Sequence, residues 1–328
     1  MDKDLVAYGR ELIASGSEEI PRPPARRIAV RPVRCALYVP ANRRDWLRGC
    51  HRFGPDAVIA DLEDAVLPQD RAQARAIVGE ELAGLAQRVR SVWVRVNPDR
   101  DEMMKDLEAV VRPGLSVVQL SKVYEPAAVL ELDRMLSWFE GRNGLAPDSI
   151  AINPILETAN GLRLAYEIAM CCRRVEYMGG LIAKLGDTAR ALGWNAPLPS
   201  DDIASESLGL RSKVLLDARA AAVKNVLGGV VISLAPDLQE LRAVALSNKK
   251  LGYSGMIAIH PSHIATINEI FSPSAQEIAA AQATLAAFRG SSNRGAIRGP
   301  GGEMVDIAQA RSAAALLDRA ASFGLLAS

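Results

Sequence analysis

The chain has 328 residues, of which 49% are hydrophobic and 23% are charged, and its formal net charge is +1. This length can bury a large core, and one barrel with appendages fits it better than two equal domains. The basic residues are scattered and no apolar run is long enough to cross a bilayer, which excludes a nucleic-acid-binding stripe and a membrane-inserted protein.

Residues 1–31 are predicted to form an N-terminal extension outside the main domain. The extension ends in Pro21-Arg-Pro-Pro24, which is typical of a stiff linker. It has no apolar signal core, and its acidic residues argue against a transit peptide. The four cysteines of the chain include no CxxC pair. We therefore expect a cytoplasmic protein with reduced thiols.

Eight short apolar runs follow, and each ends at a charged, polar or proline-marked point. They are Cys35–Pro40, Ala57–Asp61, Val92–Asn97, Val117–Lys122, Ile152–Glu157, Leu181–Asp187, Val230–Ser233 and Met256–His260. Stretches rich in Ala, Leu, Glu and Arg with helical spacing separate them, which indicates parallel βα units. Eight such units predict a closed (β/α)8 TIM barrel over residues 32–289.

The composition changes after the barrel. A helix is predicted to begin at Ser274, which forms a capping box with Glu277, and to reach about Arg289. A polar, glycine-rich arm follows. The last helix is amphipathic, and its predicted apolar face is Ile307, Ala310, Ala314, Leu317 and Ala321. Residues 290–328 are thus predicted to form a C-terminal arm and helical extension, either a lid or an oligomer-forming segment.

The active site of a (β/α)8 barrel lies at the C-terminal ends of its strands, so the residues that end the runs are the candidates. Glu157 and Asp187 end predicted strands of adjacent βα units. Two carboxylates suit a hard cation such as Mg²⁺, completed by waters and substrate oxygens. The alternative interpretation is that both residues cap the helices that follow.

Arg95 alternates with apolar neighbours in its run, so its side chain is expected to point inward. A buried arginine needs a partner, which can be a substrate carboxylate, a developing enolate, or the acidic pair Glu63 and Asp64. A purely structural ion pair with those two carboxylates is the alternative, and both can hold. His260 and His263 have HxxH spacing, but without a third ligand a turn or a substrate contact is favoured over zinc.

Short sequence blocks carry a further pattern. They are Arg34–Arg43, Asp56–Val66, Val94–Asn97, Leu156–Ala159, Arg211–Val214, Ile259–Pro261, Phe271–Pro273 and Met304–Asp306. In this order they resemble the citrate lyase beta-chain and malyl-CoA lyase family over about residues 33–320. The resemblance implies a (β/α)8 barrel with a C-terminal helical extension. It also implies a homotrimer or hexamer that cleaves or forms a carbon–carbon bond with Mg²⁺.

The resemblance also implies roles for single residues. Glu157 and Asp187 look like the two metal ligands, and Arg95 looks like the residue that holds the enolate or thioester oxygen. Asp306 matches an acidic residue of the tail that can reach a neighbouring subunit's site as acid/base. The residues assigned to substrate or coenzyme A are Asn42, Arg43, Lys122, His260 and Pro261, with Glu63 and Asp64 in support. Gly186 stands where the family usually has an acidic residue, which favours a divergent member.

The leading hypothesis is therefore a Mg²⁺-dependent lyase. It would split a malyl-CoA or citramalyl-CoA type of thioester into a 2-oxoacid and an acyl-CoA. One alternative is an aldolase that acts on free 2-oxoacids without coenzyme A. Another is a non-catalytic member that binds an acyl-CoA. The expected partners are small molecules and further copies of the chain, without nucleic acid or membrane.

Overall fold

The structure is a computed structural model that describes residues 3–15, 30–180, 186–193, 207–232, 234, 238–290, 295–299 and 301–326. The chain divides into two compact units. One unit is residues 23–271, and the other combines residues 1–22 with 272–328. Among the described helices, none is both long and apolar enough to span a membrane.

The larger unit contains eight parallel strands. These are β1 Cys35–Pro40, β2 Ala57–Asp61, β3 Ser91–Val96, β4 Val117–Leu120, β5 Ala151–Pro154, β6 Tyr177–Gly179, β7 Asn225–Gly228 and β8 Gly255–Ala258. They pair in the order β5-β4-β3-β2-β1-β8-β7-β6. Two isolated parallel bridges, Ile152 to Val175 and Ile155 to Gly179, join β5 to β6 and nearly close the ring. The predicted (β/α)8 TIM barrel is therefore confirmed.

Helices connect successive strands of this unit. They are Arg44–Gly49, Arg71–Ala86, Arg100–Val110, Pro126–Arg142, Ala159–Arg163, Ala165–Met170, Asp187–Ala191, Leu208–Ala220, Gln239–Leu251 and Ser262–Phe271. Two short 3-10 turns, Cys50–Phe53 and Pro68–Asp70, precede the second strand and the second of these helices. Local capping sets some boundaries: the Asp99 side chain accepts hydrogen bonds from the amides of Asp101 and Glu102 at the start of its helix.

The strands are apolar on both faces, which is why they are readable as apolar runs. Outward side chains such as Val58, Val92 and Val94 pack with the helices in one large cluster. Inward side chains fill the barrel in a separate cluster that includes Ile59, Trp93, Val117, Ala151, Leu227 and Ile257. The interior at this level is a packed core rather than a pore.

Two strands lie elsewhere than predicted. β6 precedes the predicted run Leu181–Asp187, of which residues 181–185 lie outside the described residues. β7 likewise precedes the predicted run Val230–Ser233, of which Ser233 is not described. Both predicted positions were wrong, because the apolar residues that follow each strand were read as the strand itself.

Glycines explain why β6 and β7 are inconspicuous in the sequence. A Cβ atom at Gly179 would lie 2.0 Å from the carbonyl oxygen of Leu227, on the neighbouring strand. A Cβ atom at Gly228 would lie 2.4 Å from Nδ2 of Asn248. The close approach of backbone and side chain therefore requires glycine where other strands carry Val or Ile.

The smaller unit consists of the helices Lys3–Ser15, Ala275–Gly290 and Ile307–Ser322 and a hairpin of β9 Ile297–Arg298 and β10 Met304–Val305. Its core is Leu12, Ala281, Leu285, Phe288, Val305, Ala310, Ala314 and Leu317. The helix Ala275–Gly290, which the sequence analysis places at the end of the barrel segment, belongs to this core. Its capping box is confirmed, since the Glu277 amide donates to the Ser274 hydroxyl at 3.1 Å and the Ser274 amide donates to the Glu277 carboxylate at 2.7 Å.

Candidate active site

A cavity of about 380 Å³ lies at the C-terminal ends of the barrel strands. One side is polar and carries Asp61, Asp64, Arg95 and Glu157. The other side is apolar. Its lining includes Tyr38, Ile155, Val230, Ile257 and Ile259. The structure thus brings three residues of the predicted site, Asp64, Arg95 and Glu157, into one cavity.

Arg95 is held chiefly by Asp61, which is its register partner on the neighbouring strand β2. Its Nε lies 2.7 Å from Oδ1 of Asp61 and its Nη2 lies 2.5 Å from Oδ2. Its Nη1 forms ion pairs with Glu63 at 3.0 Å and with Asp64 at 3.7 Å. Burial lowers the pKa of Arg95, but the hydrogen bonds to Asp61 and the charges of Tyr38, Asp61 and Glu63 raise that pKa by more. The guanidinium therefore stays charged.

Lys122, which follows β4, contacts acidic residues that follow two other strands, β2 and β6. Its Nζ lies 2.6 Å from Glu63, 2.9 Å from Asp64 and 3.6 Å from Asp187. Burial lowers the pKa of Lys122, while hydrogen bonds to and charges of Glu63 and Asp64 raise that pKa by more. Its backbone has a φ of +52°, and its amide donates a 2.8 Å hydrogen bond to Oε1 of Glu157. Lys122 thus orients the carboxylate of Glu157 through its main chain.

Glu157 is a second buried carboxylate of the cavity beside Asp61, with 7% of its surface exposed. The pKa of Glu157 is raised to about 7, chiefly by burial and also by the charges of Glu63 and Asp187, against the lowering effects of the Lys122 amide and the Arg95 charge. The alternative that Glu157 caps a helix is not what the structure shows. Thr158 occupies that place, since its hydroxyl accepts a 2.9 Å hydrogen bond from the Gly161 amide.

Asp187 was predicted to end a strand, and this prediction was wrong. It is the first residue of the helix Asp187–Ala191, several residues after β6, and its carboxylate pairs with Arg190. The carboxylate also lies close enough to Glu157 for its charge to raise the Glu157 pKa. Both carboxylates contact Lys122, Glu157 through the Lys122 amide and Asp187 at 3.6 Å from its Nζ, although the prediction that Asp187 ends a strand was wrong.

The two carboxylates fit Mg²⁺ by their chemistry. Both offer hard oxygen donors, and burial of the Glu157 carboxylate, which raises its pKa, is a cost that a bound cation would relieve. Within the described parts of the chain, no three His, Cys, Asp or Glu side chains gather into a metal-binding group. A metal here would need waters and substrate oxygens as its further ligands, and the HxxH pair is not part of such a group.

The residues assigned to coenzyme A lie outside this cavity. Asn42 and Arg43 line a second cavity of about 400 Å³ together with Trp46, and the Arg43 guanidinium lies 5.4 Å from the Trp46 ring centre. Trp46 is 60% exposed. His260 is exposed beside Pro261, and its Nδ1 lies 2.8 Å from the Ser262 hydroxyl. Their role toward coenzyme A stays a prediction.

Asp306 belongs to the smaller unit and is the N-cap of the helix Ile307–Ser322. Its carboxylate accepts a 2.7 Å hydrogen bond from the Ala308 amide, and its own amide donates to Oε1 of Gln309 at 3.0 Å. The structure thus gives Asp306 a capping role. Its predicted role as acid/base stays a prediction.

Asp61 was a candidate only as the end of a run, without an assigned role, and Tyr38 was missed as a site residue. Asp61 ends the second apolar run, and the pairing of run ends along the barrel would have placed it opposite Arg95. Tyr38 is a polar residue inside an otherwise apolar run. Its hydroxyl was the available signal, because a buried hydroxyl normally has a hydrogen-bonding partner.

The chain is similar to known proteins over most of its length. The family model described as HpcH/HpaI aldolase/citrate lyase matches residues 34–261. The citrate lyase subunit beta of Haemophilus influenzae is 28% identical over 291 residues, which are 88% of this chain and 97% of that protein. A (3S)-malyl-CoA thioesterase of Cereibacter sphaeroides is 32% identical over 266 residues, which are 80% of this chain and 86% of that protein.

Solved structures agree with this similarity. Protein CitE from Mycobacterium tuberculosis, in complex with magnesium, acetoacetate and coenzyme A, has a TM-score of 0.67 at 27% identity and covers 88% of this chain and 98% of its own. A citrate lyase from Burkholderia xenovorans has a TM-score of 0.77 at 21% identity and covers 92% of this chain and 95% of its own. The second likeness concerns the fold alone.

Proposed function

The chain belongs to the HpcH/HpaI aldolase/citrate lyase family, and on this premise we propose that it is a Mg²⁺-dependent carbon–carbon lyase. Its substrate would be a malyl-CoA or citramalyl-CoA type of thioester, which it cleaves to, or forms from, a 2-oxoacid and an acyl-CoA. The observation that carries the proposal is one cavity with a permanently charged Arg95 and a buried Glu157 that Lys122 orients.

Arg95 would stabilise the charge that develops during cleavage. The substrate loses its hydroxyl proton, the carbon–carbon bond breaks, and the bonding electrons move onto the thioester oxygen to form an enolate. Asp61 accepts from two of the five N–H groups of an arginine side chain. Three N–H groups remain for Glu63 and for a substrate oxygen. A fixed charge of this kind contributes about 3 kcal/mol, by analogy with a removed oxyanion-hole donor.

Glu157 and Asp187 would hold the metal ion. Bound Mg²⁺ supplies Lewis-acid polarisation of the oxygens of the 2-oxoacid. Lys122 keeps Glu157 in place through its amide and neutralises Glu63 and Asp64 through its ammonium. Lys122 would therefore support substrate binding indirectly.

Coenzyme A would lie across the second cavity. A guanidinium beside an exposed indole, as Arg43 and Trp46 provide, suits a ligand that carries phosphates and an aromatic base. Asn42, His260 and Pro261 are proposed as further contacts of the same ligand. Asp306 is proposed as the acid/base, in a homotrimer or hexamer in which the tail reaches a neighbouring subunit.

A second candidate function is hydrolysis of the thioester. The 32% identical relative is named a (3S)-malyl-CoA thioesterase, and that reaction would release malate and free coenzyme A from the same substrate. A third candidate, the aldolase that acts on free 2-oxoacids, would use Arg95 on an enolate of pyruvate without coenzyme A.

The three candidates differ in their products, so one substrate panel separates them. The purified protein is incubated with malyl-CoA, citramalyl-CoA and a free 4-hydroxy-2-oxoacid, each with Mg²⁺ or with EDTA. The lyase forms a 2-oxoacid, detected as its phenylhydrazone, without free thiol. The thioesterase forms free thiol without a 2-oxoacid. Cleavage of the free 4-hydroxy-2-oxoacid alone, to pyruvate and an aldehyde, would reject the leading proposal in favour of the aldolase.

Two variants test whether the observed activity belongs to this cavity. Arg95→Lys keeps the charge but loses the paired geometry with Asp61, and we expect kcat to fall by about 10²-fold or more. Arg100→Ala is the matched control, because Arg100 is exposed and pairs with Glu131. Equal activity of both variants would place the reaction elsewhere.

A further inference from the structure

A row of polar side chains lies inside the barrel next to the apolar filling. Asp61, Arg95, Gln119 and Asn153 are successive register partners across β2, β3, β4 and β5. Each lies two residues after an inward apolar residue of its strand and therefore points to the same interior. Gln119 and Asn153 are completely buried. The barrel interior is thus polar at the level of this row, where a barrel core alone would be apolar, and Asp61 and Arg95 of the row also line the cavity.

Tyr38 reaches into this row from β1. Its hydroxyl donates a short hydrogen bond to Oε1 of Gln119, on β4. The guanidinium carbon of Arg95, on the intervening strand β3, lies 4.7 Å from the centre of the Tyr38 ring. The ring therefore covers one face of the guanidinium, while Asp61 holds its edge.

This arrangement leaves hydrogen-bonding capacity unused. Nε2 of Gln119 and both amide atoms of Asn153 have no partner among the described residues. Buried polar atoms without partners destabilise a fold, and native proteins normally satisfy them with protein groups or with buried water. A core of apolar side chains would avoid that cost. Gln119 therefore requires a reason other than stability, and among the described residues its side-chain oxygen accepts its hydrogen bond from Tyr38.

We propose that Tyr38 and Gln119 are positioning residues for Arg95. The inference rests on the proposed lyase function, in which Arg95 meets the enolate oxygen. Asp61 holds the Arg95 guanidinium through two hydrogen bonds at its edge. The Tyr38 ring packs against the guanidinium and limits its movement toward the ring. Gln119 holds that ring in place through the Tyr38 hydroxyl. Without that anchor the ring can shift and Arg95 can settle away from the position where the enolate oxygen forms.

The test compares Tyr38→Phe, Gln119→Met and the double variant, each of which removes the same hydrogen bond at nearly constant volume. Because positioning affects the transition state, we expect each single variant to lower kcat by about tenfold, with KM within about twofold. Because the two side chains act as a unit, the double variant should lose no more than either single one. Tyr177→Phe is the matched control. It removes a tyrosine hydroxyl bond of 2.6 Å to the Arg31 carbonyl and should leave kcat unchanged.

Crystal structures of the wild type and of Tyr38→Phe give a readout that does not depend on any activity. We expect the Arg95 guanidinium to move by about 1 Å in the variant, a displacement sufficient to affect catalysis. An unmoved guanidinium, unchanged kcat in both single variants, or losses that multiply in the double variant would each overturn the inference. A wild type without lyase activity whose Arg95 moves in Tyr38→Phe would instead reject the proposed function and leave the positioning role supported.

Discussion

Glu157 is the side chain of the cavity whose protonation the fold changes in a way that can be measured. Its pKa is raised from 4.5 to about 7, with burial as the largest cause. A carboxyl group with a raised pKa binds its proton more tightly in the folded state than in the unfolded state. In the absence of metal, Glu157 therefore leaves the free energy of unfolding unaffected below about pH 4.5. It lowers that free energy increasingly up to about pH 7.

We predict that Glu157→Gln stabilises the metal-free protein at pH 8 and not at pH 5. A shift of this size corresponds to about 3 kcal/mol as an upper limit, because one pKa unit is about 1.4 kcal/mol. Urea unfolding in EDTA at the two pH values measures the difference. Glu167→Gln, at an exposed helical position, is the control and should show no such pH dependence. Equal stabilisation at both pH values would contradict the assigned cause.

The same variant tests the metal proposal. Mg²⁺ should raise the unfolding temperature of the wild type at pH 8, because a ligand that binds only the folded state stabilises it by mass action. In Glu157→Gln the increase should be largely lost, since the charged ligand is missing. A wild type whose unfolding temperature does not respond to millimolar Mg²⁺ would remove Glu157 from the proposed metal site.

For single residues, the sequence predicted which buried charges need an ion-pair partner, but not which residue is the main partner. An inward arginine must be compensated, so the contacts of Arg95 with Glu63 and Asp64 were foreseeable and are confirmed. The stronger contact with Asp61 depends on the register of β2 against β3. Register is set by the packing of the whole barrel, which no local pattern contains.

Among the elements, β6 and β7 show where hydrophobic patterning fails. The runs of β1 and β2 were predicted to the residue, because strands buried on both faces are continuous in Val, Ile, Leu and Ala. β6 ends in Gly179, whose φ is +136°, and its neighbour approaches too closely for a side chain. Where the packing demands glycine, the apolar signal of a strand disappears and the next apolar stretch is misread.

Position 179, where β6 approaches β7, should therefore tolerate no side chain. We predict that Gly179→Ala lowers the free energy of unfolding by more than about 2 kcal/mol, because it combines a positive φ with a backbone clash. Gly141→Ala is the matched control, since nothing lies within 4 Å of the added Cβ in the helix Pro126–Arg142. It should instead stabilise the protein by about 0.5–1 kcal/mol through helix propensity. Thermal unfolding measures both, and a Gly179→Ala variant as stable as the wild type would refute the close approach.

The smaller unit is built from the two ends of the chain, so its segments are not consecutive in the sequence. The helix Lys3–Ser15 and the segments after residue 271 share one core although nearly the whole barrel separates them in sequence. The amphipathic pattern of the last helix predicted correctly that it buries Ala310, Ala314 and Leu317, whereas Ile307, on the same predicted face, is exposed and Ala321 is half-buried. It could not predict against which helices, because that choice depends on contacts between the two ends of the chain.

Asp306 caps the last helix of the smaller unit and is also the proposed acid/base of the reaction. We predict that Asp306→Asn lowers turnover by about 10²–10⁴-fold, the usual contribution of a positioned acid/base. The unfolding temperature should hardly change, because asparagine caps helices about as well as aspartate and Asp306 caps the last helix. Asp306→Ala is the control that loses both functions. Full activity of Asp306→Asn would reduce this residue to its capping role.

A mixture of two inactive variants tests whether the site is shared between subunits. Arg95→Ala keeps the tail and Asp306→Asn keeps the barrel, so a site that takes Arg95 from one subunit and Asp306 from its neighbour is intact in some mixed oligomers. Random mixing of equal amounts, by co-expression, should restore about a quarter of the sites, because each of the two subunits must be the right variant. A site within one chain would give no restoration, since neither variant contains both residues. Active mixed oligomers would therefore show that this family member needs its oligomer for catalysis.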